Sequence, residues 1–163
     1  MSDAFADLMS KLDQSMVIVT TVAGDERSGC LVGFHSQSSI DPPRYVVWIS
    51  HANHTHQVAE RASVFAVHLV PSDRHDLAEL FGGVTSDEVD KLARCDWTPG
   101  PAGVPLLDGC PDRFVGRSTQ RWEADGDHRA FVLEPTVVQP VGDGPWLRLS
   151  DVIDIDAGHD HDD

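Results

Sequence analysis

The sequence has 163 residues, 40% of them hydrophobic and 24% charged, with a formal net charge of −15. This length and composition predict a single globular domain and argue against an intrinsically disordered chain. Because phosphate surfaces attract clusters of Lys and Arg, the excess of 27 acidic over 12 basic residues argues against nucleic-acid and anionic-membrane partners.

The first third of the chain predicts a helix followed by three strands. Apolar residues recur with helical spacing over 3–13, which predicts an amphipathic helix. The apolar, β-branched run over 16–23 predicts a buried strand. Further strands are predicted over 29–35 and 45–50, and the prolines at 42–43 mark the break between them because proline cannot join a central strand.

Two capped helices flank the next predicted strand. Asn53 is a suitable N-cap for a helix that runs to residue 62. The apolar run over 64–70 predicts the strand. Ser72 is expected to cap the second helix, which stops at the glycines at 82–83.

The remaining elements predict a fold dominated by strands. In chain order they are a short helix over 86–92, a loop over 95–111, two strands over 113–123 and 129–139 joined by an Asp-Gly turn, and a last strand over 146–149. About seven strands with short inserted helices predict a mainly β fold, a single-domain β-barrel with helical connections. The domain is expected to span 1–150, and 151–163 to form an acidic, histidine-containing, disordered tail.

Cysteine usage and the start of the chain predict a cellular compartment. Cys30, Cys95 and Cys110 form no CxxC pair and leave an odd count, which is typical of reduced thiols. Asp3 and Asp7 lie where a signal peptide would carry basic residues, and no apolar run is long enough to span a membrane. We therefore expect a cytoplasmic protein.

Common catalytic and nucleotide-binding motifs are missing from the sequence, which has no GxGxxG, P-loop or HExxH. His51, His54 and His56 lie close together, but their spacing matches no standard zinc pattern, so no metal site is predicted. His54 and Thr55 open the helix capped by Asn53. Either His54 and His56 are ordinary helix-start residues, or His54 and Thr55 help to hold a phosphate.

Four further residues permit a structural or a functional interpretation. His35 is either a hydrogen-bonded residue of a barrel rim or a cofactor contact. His128 is either an exposed turn residue or a residue that faces the open side of a bound ring. Trp48 either packs in the core or walls a pocket, and Phe81 is interpreted first as the core anchor of its helix.

Several short motifs follow one another between residues 15 and 149. They are the strand over 16–22, Gly29-Cys-Leu-Val-Gly-Phe-His-Ser-Gln-Ser-Ser-Ile-Asp-Pro-Pro43, Asn53-His-Thr-His56, Leu77-Ala-Glu-Leu-Phe-Gly-Gly83, Trp97-Thr-Pro-Gly100 with Gly103-Val-Pro-Leu-Leu107, and Gly126-Asp-His128. In order and spacing they resemble the flavin reductase family with the FMN-binding split-barrel fold. Members of that family are the small reductase components of two-component monooxygenases.

The resemblance implies an FMN-dependent flavin reductase that oxidises NAD(P)H, forms a homodimer and serves a monooxygenase component, with FAD as the alternative flavin. It also implies a catalytic position for His128 beside the nicotinamide. The implied cofactor-binding residues are Val32, Gly33, Phe34, His35, Ser39, Trp48, Ile49, Ser50, His54, Thr55 and Phe81. The alternative function is a flavin- or deazaflavin-binding split-barrel protein without NAD(P)H turnover.

The chain departs from the family pattern at three places. One is the C-terminal segment, where the family's Tyr/His-Arg-Gly-x-Tyr, which resembles a nicotinamide contact, is replaced by Trp146-Leu-Arg-Leu-Ser-Asp-Val-Ile-Asp-Ile155. The family's Thr-x-Asn-Ser is Leu31-Val-Gly-Phe34 here, which replaces three polar side chains. The family's Arg beside the phosphate is His54, which lacks the fixed guanidinium fork.

Overall fold

The computed structural model describes residues 2–83, 90–139 and 142–155. Within these residues the strands are β1 (Val17–Ala23), β2 (Glu26–Val32), β3 (His35–Ser39), β4 (Arg44–Ser50), β5 (Val64–Leu69), β6 (Trp97–Pro99), β7 (Pro105–Leu107), β8 (Arg113–Glu123) and β9 (His128–Val138). The α-helices are α1 (Ser2–Ser10), α2 (His54–Ala59) and α3 (His75–Gly83), and short 3-10 turns lie at Lys91–Arg94, Pro101–Gly103 and Leu149–Asp151. None of the described helices is long and apolar enough to cross a membrane.

Seven strands form one sheet in the order β2-β1-β5-β8-β9-β4-β3, and each pairing in it is antiparallel. The sheet curls, so that β2 at one edge contacts β4 near the other. β6 and β7 form a separate two-stranded hairpin. The predicted mainly β fold with inserted helices is confirmed, and β8 and β9 match the two strands predicted over 113–123 and 129–139.

β1 lies at the centre of the packing, and all seven of its residues are buried. Successive side chains of a strand point to opposite faces. Val17 and Val19 share one core cluster with Val58 of α2. Ile18 belongs to a second cluster with Phe81 of α3. Both faces of β1 are therefore covered, which explains its continuous apolar sequence.

The segment predicted as one strand over 29–35 is two strands in the structure. β2 begins earlier, at Glu26, and pairs with β1 as far as Val32. The chain then leaves this edge of the sheet at Gly33–Phe34 and joins the opposite edge as β3, paired with β4. The prediction was wrong because the apolar run continues across a corner at which the hydrogen-bonding partner changes.

Three smaller predictions also need correction. α3 begins at His75 rather than after Ser72, since the chain first makes a turn in which the Arg74 N–H donates to the Pro71 carbonyl at 2.9 Å. The predicted loop over 95–111 contains the hairpin of β6 and β7. The last predicted strand, over 146–149, forms only isolated bridges.

Two predictions fall mostly outside the described residues. Most of the helix predicted over 86–92 lies there, and Lys91–Arg94 forms a 3-10 turn. Most of the predicted tail lies there too, so the boundary at residue 150 stays a prediction. Within the described part, Val152 is buried against the cluster around Phe81.

Candidate functional site

A cleft of about 590 Å³ lies at the corner between β2 and β3, and we call it the edge cleft. Its walls come from residues 30–34, from Trp48–Ser50 of β4, from α1 and from the C-terminal segment 149–155. The volume lies within the range of small-molecule sites. The described residues that line it include no Lys, Arg, Asp or Glu. The lining of the edge cleft therefore suits an uncharged group of a ligand.

The corner itself brings backbone, rather than side chain, to the cleft. A Cβ atom at Gly33 would lie 3.4 Å from Met16 Cε and 3.5 Å from Gln14 Nε2, and both of these residues line the cleft. Longer side chains at this position would compete with a ligand for space. The carbonyl of Phe34 accepts a 2.9 Å hydrogen bond from the Trp48 N–H, which fixes the corner against β4.

Pairing between β4 and β9 places two polar side chains next to each other at the cleft. Ser50 pairs directly with His128, so both side chains lie on the same face of the sheet. Asp127 Oδ1 lies 2.6 Å from His128 Nδ1 and orients the imidazole. The His128 ring also lies 4.8 Å from the ring of Phe34, which is more than half exposed. These residues form a partly open mouth.

The other side of the cleft is covered by both ends of the described chain. Phe5 and Met9 of α1 line it, as does the buried Val152. The two ends are held together at Asp13, whose carboxylate accepts hydrogen bonds from the N–H and hydroxyl of Ser150 at 2.8 and 2.9 Å. These bonds, the backbone one first, lower the pKa of Asp13. The apolar spacing of α1 predicts an amphipathic helix, but nothing in the sequence indicates that its apolar face covers the site.

Eight of the twelve predicted site residues line the edge cleft. They are Val32, Gly33, Phe34, Trp48, Ile49, Ser50, Phe81 and His128. The structure places the other four, His35, Ser39, His54 and Thr55, outside the set of lining residues. Their assignment as cofactor contacts rests on the resemblance alone and stays a prediction.

His35 makes two hydrogen bonds within the barrel. Its Nε2 donates to the Ser15 carbonyl at 2.6 Å, and its Nδ1 accepts from the Tyr45 hydroxyl. Burial lowers the pKa of His35 and raises the pKa of Tyr45 to about 12, so both groups are neutral. Ser39 lies at the far end of the same strand, opposite Arg44.

His54 and Thr55 lie at the start of α2, next to the cleft-lining Asn53, but neither is among the lining residues themselves. Thr55 is fully buried, with its hydroxyl 2.7 Å from Ser28 Oγ and its N–H donating to the Asn53 side chain at 2.9 Å. The predicted N-cap at Asn53 is thus confirmed. His54 lies 3.3 Å from the Glu26 carboxylate.

A second cavity, of about 380 Å³, contains the cations that the edge cleft lacks. The cations are Arg27 and Lys91, and the lining also includes His54 and acidic residues such as Glu26. Lys91 is buried, and its ammonium group donates to the Phe81 carbonyl at 3.0 Å. Burial lowers the pKa of Lys91. This cavity is polar, in contrast to the edge cleft.

The residues of the edge cleft fit the ring system of a flavin. Trp48, Ile49 and Phe81 give apolar walls, and the glycine corner leaves space beside the backbone. Cys30, which also lines the cleft, adds no charge because burial raises the pKa of its thiol to about 11. The lining offers no fixed cation for a phosphate among the described residues.

Comparison with known proteins agrees with this geometry. A family model described as flavin reductase like domain matches residues 9–146. The FMN reductase (NADH) RutF of Stutzerimonas stutzeri is 27% identical over 110 residues, which cover 68% of this chain and 63% of that protein. This chain therefore spans less than two thirds of the length of that relative.

In two further comparisons the match covers more of the other protein's length. The 4-hydroxyphenylacetate 3-monooxygenase reductase component of Pseudomonas aeruginosa is 25% identical over 145 residues, 88% of this chain and 85% of that protein. The NADH:FAD oxidoreductase SgcE6 of Streptomyces globisporus has the same fold, with a TM-score of 0.77 and 21% identity, and the match covers 90% of this chain and 88% of that one. The predicted split-barrel fold is thereby confirmed.

Proposed function

This chain belongs to the flavin reductase like domain family, and we propose that it is a flavin reductase that uses NAD(P)H to reduce FMN, with FAD as the alternative flavin. One observation carries the proposal. The chain has an apolar cleft, lined by no Lys, Arg, Asp or Glu among the described residues, at the corner where the barrel is split. The names of the relatives, which include NADH-dependent FMN reductases, support the same activity.

The protein's own part in this reaction is to bind and orient. A bound flavin would supply the chemistry by accepting a hydride from the nicotinamide. The backbone at Val32–Phe34, with no side chain at Gly33, would leave room for the ring, and the apolar side chains of Trp48 and Phe81 would keep water from it. We assign the ring-binding role to these residues.

His128 is proposed to position the nicotinamide at the mouth of the cleft. Its Nδ1 is held by Asp127 at 2.6 Å, which leaves Nε2 to a bound molecule. The neighbouring Phe34 ring, more than half exposed, offers a surface on which a planar group can stack. Together they define the open side of the site.

We also propose a cytoplasmic homodimer that supplies reduced flavin to a monooxygenase. Phe5, Leu8 and Leu12 near the N-terminus and Phe34 at the corner are each more than half exposed, and apolar surface of this kind marks contact sites. The cysteines are free thiols, as expected of a reducing compartment. Relatives named as reductase components of monooxygenases support the partner.

The activity is tested with the purified full chain and FMN. We expect FMN fluorescence to be quenched on titration and flavin absorbance to bleach anaerobically when NADH or NADPH is added. Binding without bleaching would support the alternative of a flavin carrier without turnover. No quenching by FMN or FAD would overturn the proposal. Sedimentation of the same sample tests the dimer.

A further inference from the structure

Three side chains from separate parts of the chain meet beside α2 and form a group that can hold a metal ion. His51 follows β4, His56 lies in α2 and Glu123 ends β8. One ligand atom from each lies within 4.8 Å of the others. The His51 and His56 rings contact edge to face, with centroids 4.8 Å apart. His51 Nε2 lies 3.4 Å from Glu123 Oε2.

His56 contributes a polar atom that the protein itself leaves unsatisfied. The residue is only 8% exposed, and its Nε2 atom is buried without a hydrogen bond to any residue that the structure describes. Glu60 Oε1 lies 3.5 Å away, beyond good hydrogen-bond geometry. Buried polar atoms are nearly always paired, so an unpaired imidazole nitrogen at the edge of a ligand cluster indicates a missing partner.

We propose that His51, His56 and Glu123 bind one divalent transition-metal ion of the zinc class. Two imidazoles and one carboxylate, with a water in the fourth position, are a set that zinc accepts. Tetrahedral ligands of zinc lie about 3.3 Å apart, given bond lengths near 2.0–2.1 Å. The His51–Glu123 pair already has this separation, and the remaining atoms have to approach by at most about 1.5 Å.

Arg129 of β9 pairs directly with Glu123 of β8 and so lies beside the proposed metal site. Its guanidinium lies 3.2 Å from Glu123 Oε1 and 2.7 Å from Glu60 Oε1. This ion pair leaves one Glu123 oxygen near Arg129 while the other oxygen faces His51. Its positive charge opposes the metal, and the site is expected to bind zinc less tightly than one without a neighbouring cation.

The metal would connect the start of α2 to the β8–β9 hairpin. The His51 N–H donates to the Asp127 carbonyl at 2.9 Å, and Asp127 also holds His128. A metal at this position would therefore hold the hairpin that carries a wall of the edge cleft. The three ligands lie outside the lining of the edge cleft, so metal binding here is independent of flavin binding there.

The test uses the full chain, treated with a chelator and titrated with Zn²⁺ alone. Because His159 and His161 near the end of the sequence also offer ligands, both are first replaced by Ala. In this background we expect one saturable Zn²⁺ site per chain, a higher thermal midpoint with Zn²⁺, and a visible tetrahedral absorption band with Co²⁺. Failure to bind one equivalent would overturn the proposal.

Two exposed ligands permit variants that fold. His51→Ala and Glu123→Gln should each weaken Zn²⁺ binding on the order of 100-fold and remove the Co²⁺ band. The matched control is His75→Ala, since His75 lies outside the ligand group, pairs with Asp154 at 3.1 Å and should keep the parent affinity. Unchanged affinity in both ligand variants, or an equal loss in the control, would contradict the assignment.

Discussion

Two histidines of the sheet, His68 in β5 and His128 in β9, are held in opposite ways. His68 is fully buried, its Nδ1 donates to the Ile18 carbonyl at 2.9 Å, and its Nε2 accepts from the Leu107 N–H at 3.1 Å. His128 lies at the mouth of the edge cleft, with Nδ1 bonded to Asp127. A histidine satisfied on both sides connects structural elements, and one satisfied on a single side can serve a ligand.

The difference between the two regions is best tested by removing the buried histidine. His68→Leu leaves the Leu107 N–H and the Ile18 carbonyl buried without partners, so we expect unfolding to become easier by about 3–5 kcal/mol. Urea denaturation measures this change. His75→Leu serves as the control, because His75 is only partly buried and pairs with Asp154, and it should change stability by less than about 1 kcal/mol. An equal loss of stability in the two variants would contradict the structural role of His68.

The next largest effect is expected in acid, where the buried His68 should lower the free energy of unfolding. Burial lowers the pKa of His68 to about 4, against an ordinary value of 6.5, so the unfolded chain takes up a proton that the folded chain does not. The free energy of unfolding should be unaffected by this residue above pH 6.5 and fall as the pH drops from 6.5 towards 4. The loss is at most about 3 kcal/mol.

This acid effect is isolated by comparison with a variant. Carboxylates such as Asp76, whose pKa is lowered by hydrogen bonds from Arg74, also lose stabilising interactions in acid. Urea midpoints between pH 7.5 and 4.5 should therefore fall more steeply for the parent than for His68→Gln. Parallel curves would show that His68 does not titrate in this range.

At the edge cleft, a substitution at the Gly33 corner should lower ligand affinity rather than protein stability. Gly33→Val places a branched side chain beside Met16 and Gln14, and we expect FMN affinity to fall about 30-fold, or about 2 kcal/mol. Fluorescence quenching gives the dissociation constant. Gly126→Val is the control because a Cβ there meets nothing within 4 Å, and it should bind FMN like the parent. Unchanged affinity in Gly33→Val would remove the corner from the site.

A smaller effect is expected at His128, on turnover. His128→Asn should lower kcat/KM for the nicotinamide on the order of 10-fold, because the residue positions this substrate, while FMN affinity changes by less than about two-fold. Stopped-flow bleaching separates the two quantities. A loss of FMN affinity instead would place His128 against the flavin.

The smallest effect is expected at His54, which lies in the second cavity beside Glu26. His54→Ala should change FMN affinity by less than about two-fold at pH 6 and pH 8, since the residue does not line the edge cleft. The same titration measures it. A larger loss confined to the lower pH would support the phosphate contact that the resemblance implies.

The site was predictable where it depends on local chemistry and less so where it depends on long-range packing. The apolar run of β4 and the Asp-Gly turn before His128 are local signals, and both lead to cleft residues. The covering by α1 and Val152 gave no such signal, because it depends on Asp13 meeting Ser150 across the chain. Glu123 likewise meets His51 and His56 only after β8 has paired with β9.

The mainly β class, the long hairpin and the N-cap at Asn53 could be predicted from sequence alone, because strand periodicity, turn residues and capping act between near neighbours in the chain. Long-range packing decides that the chain turns at Gly33–Phe34. It also gives the buried His68 a hydrogen-bond partner at each ring nitrogen. The physical reason is the closure of the sheet. A corner forms where the strand partner changes from β1 to β4, and no short stretch of sequence specifies that exchange.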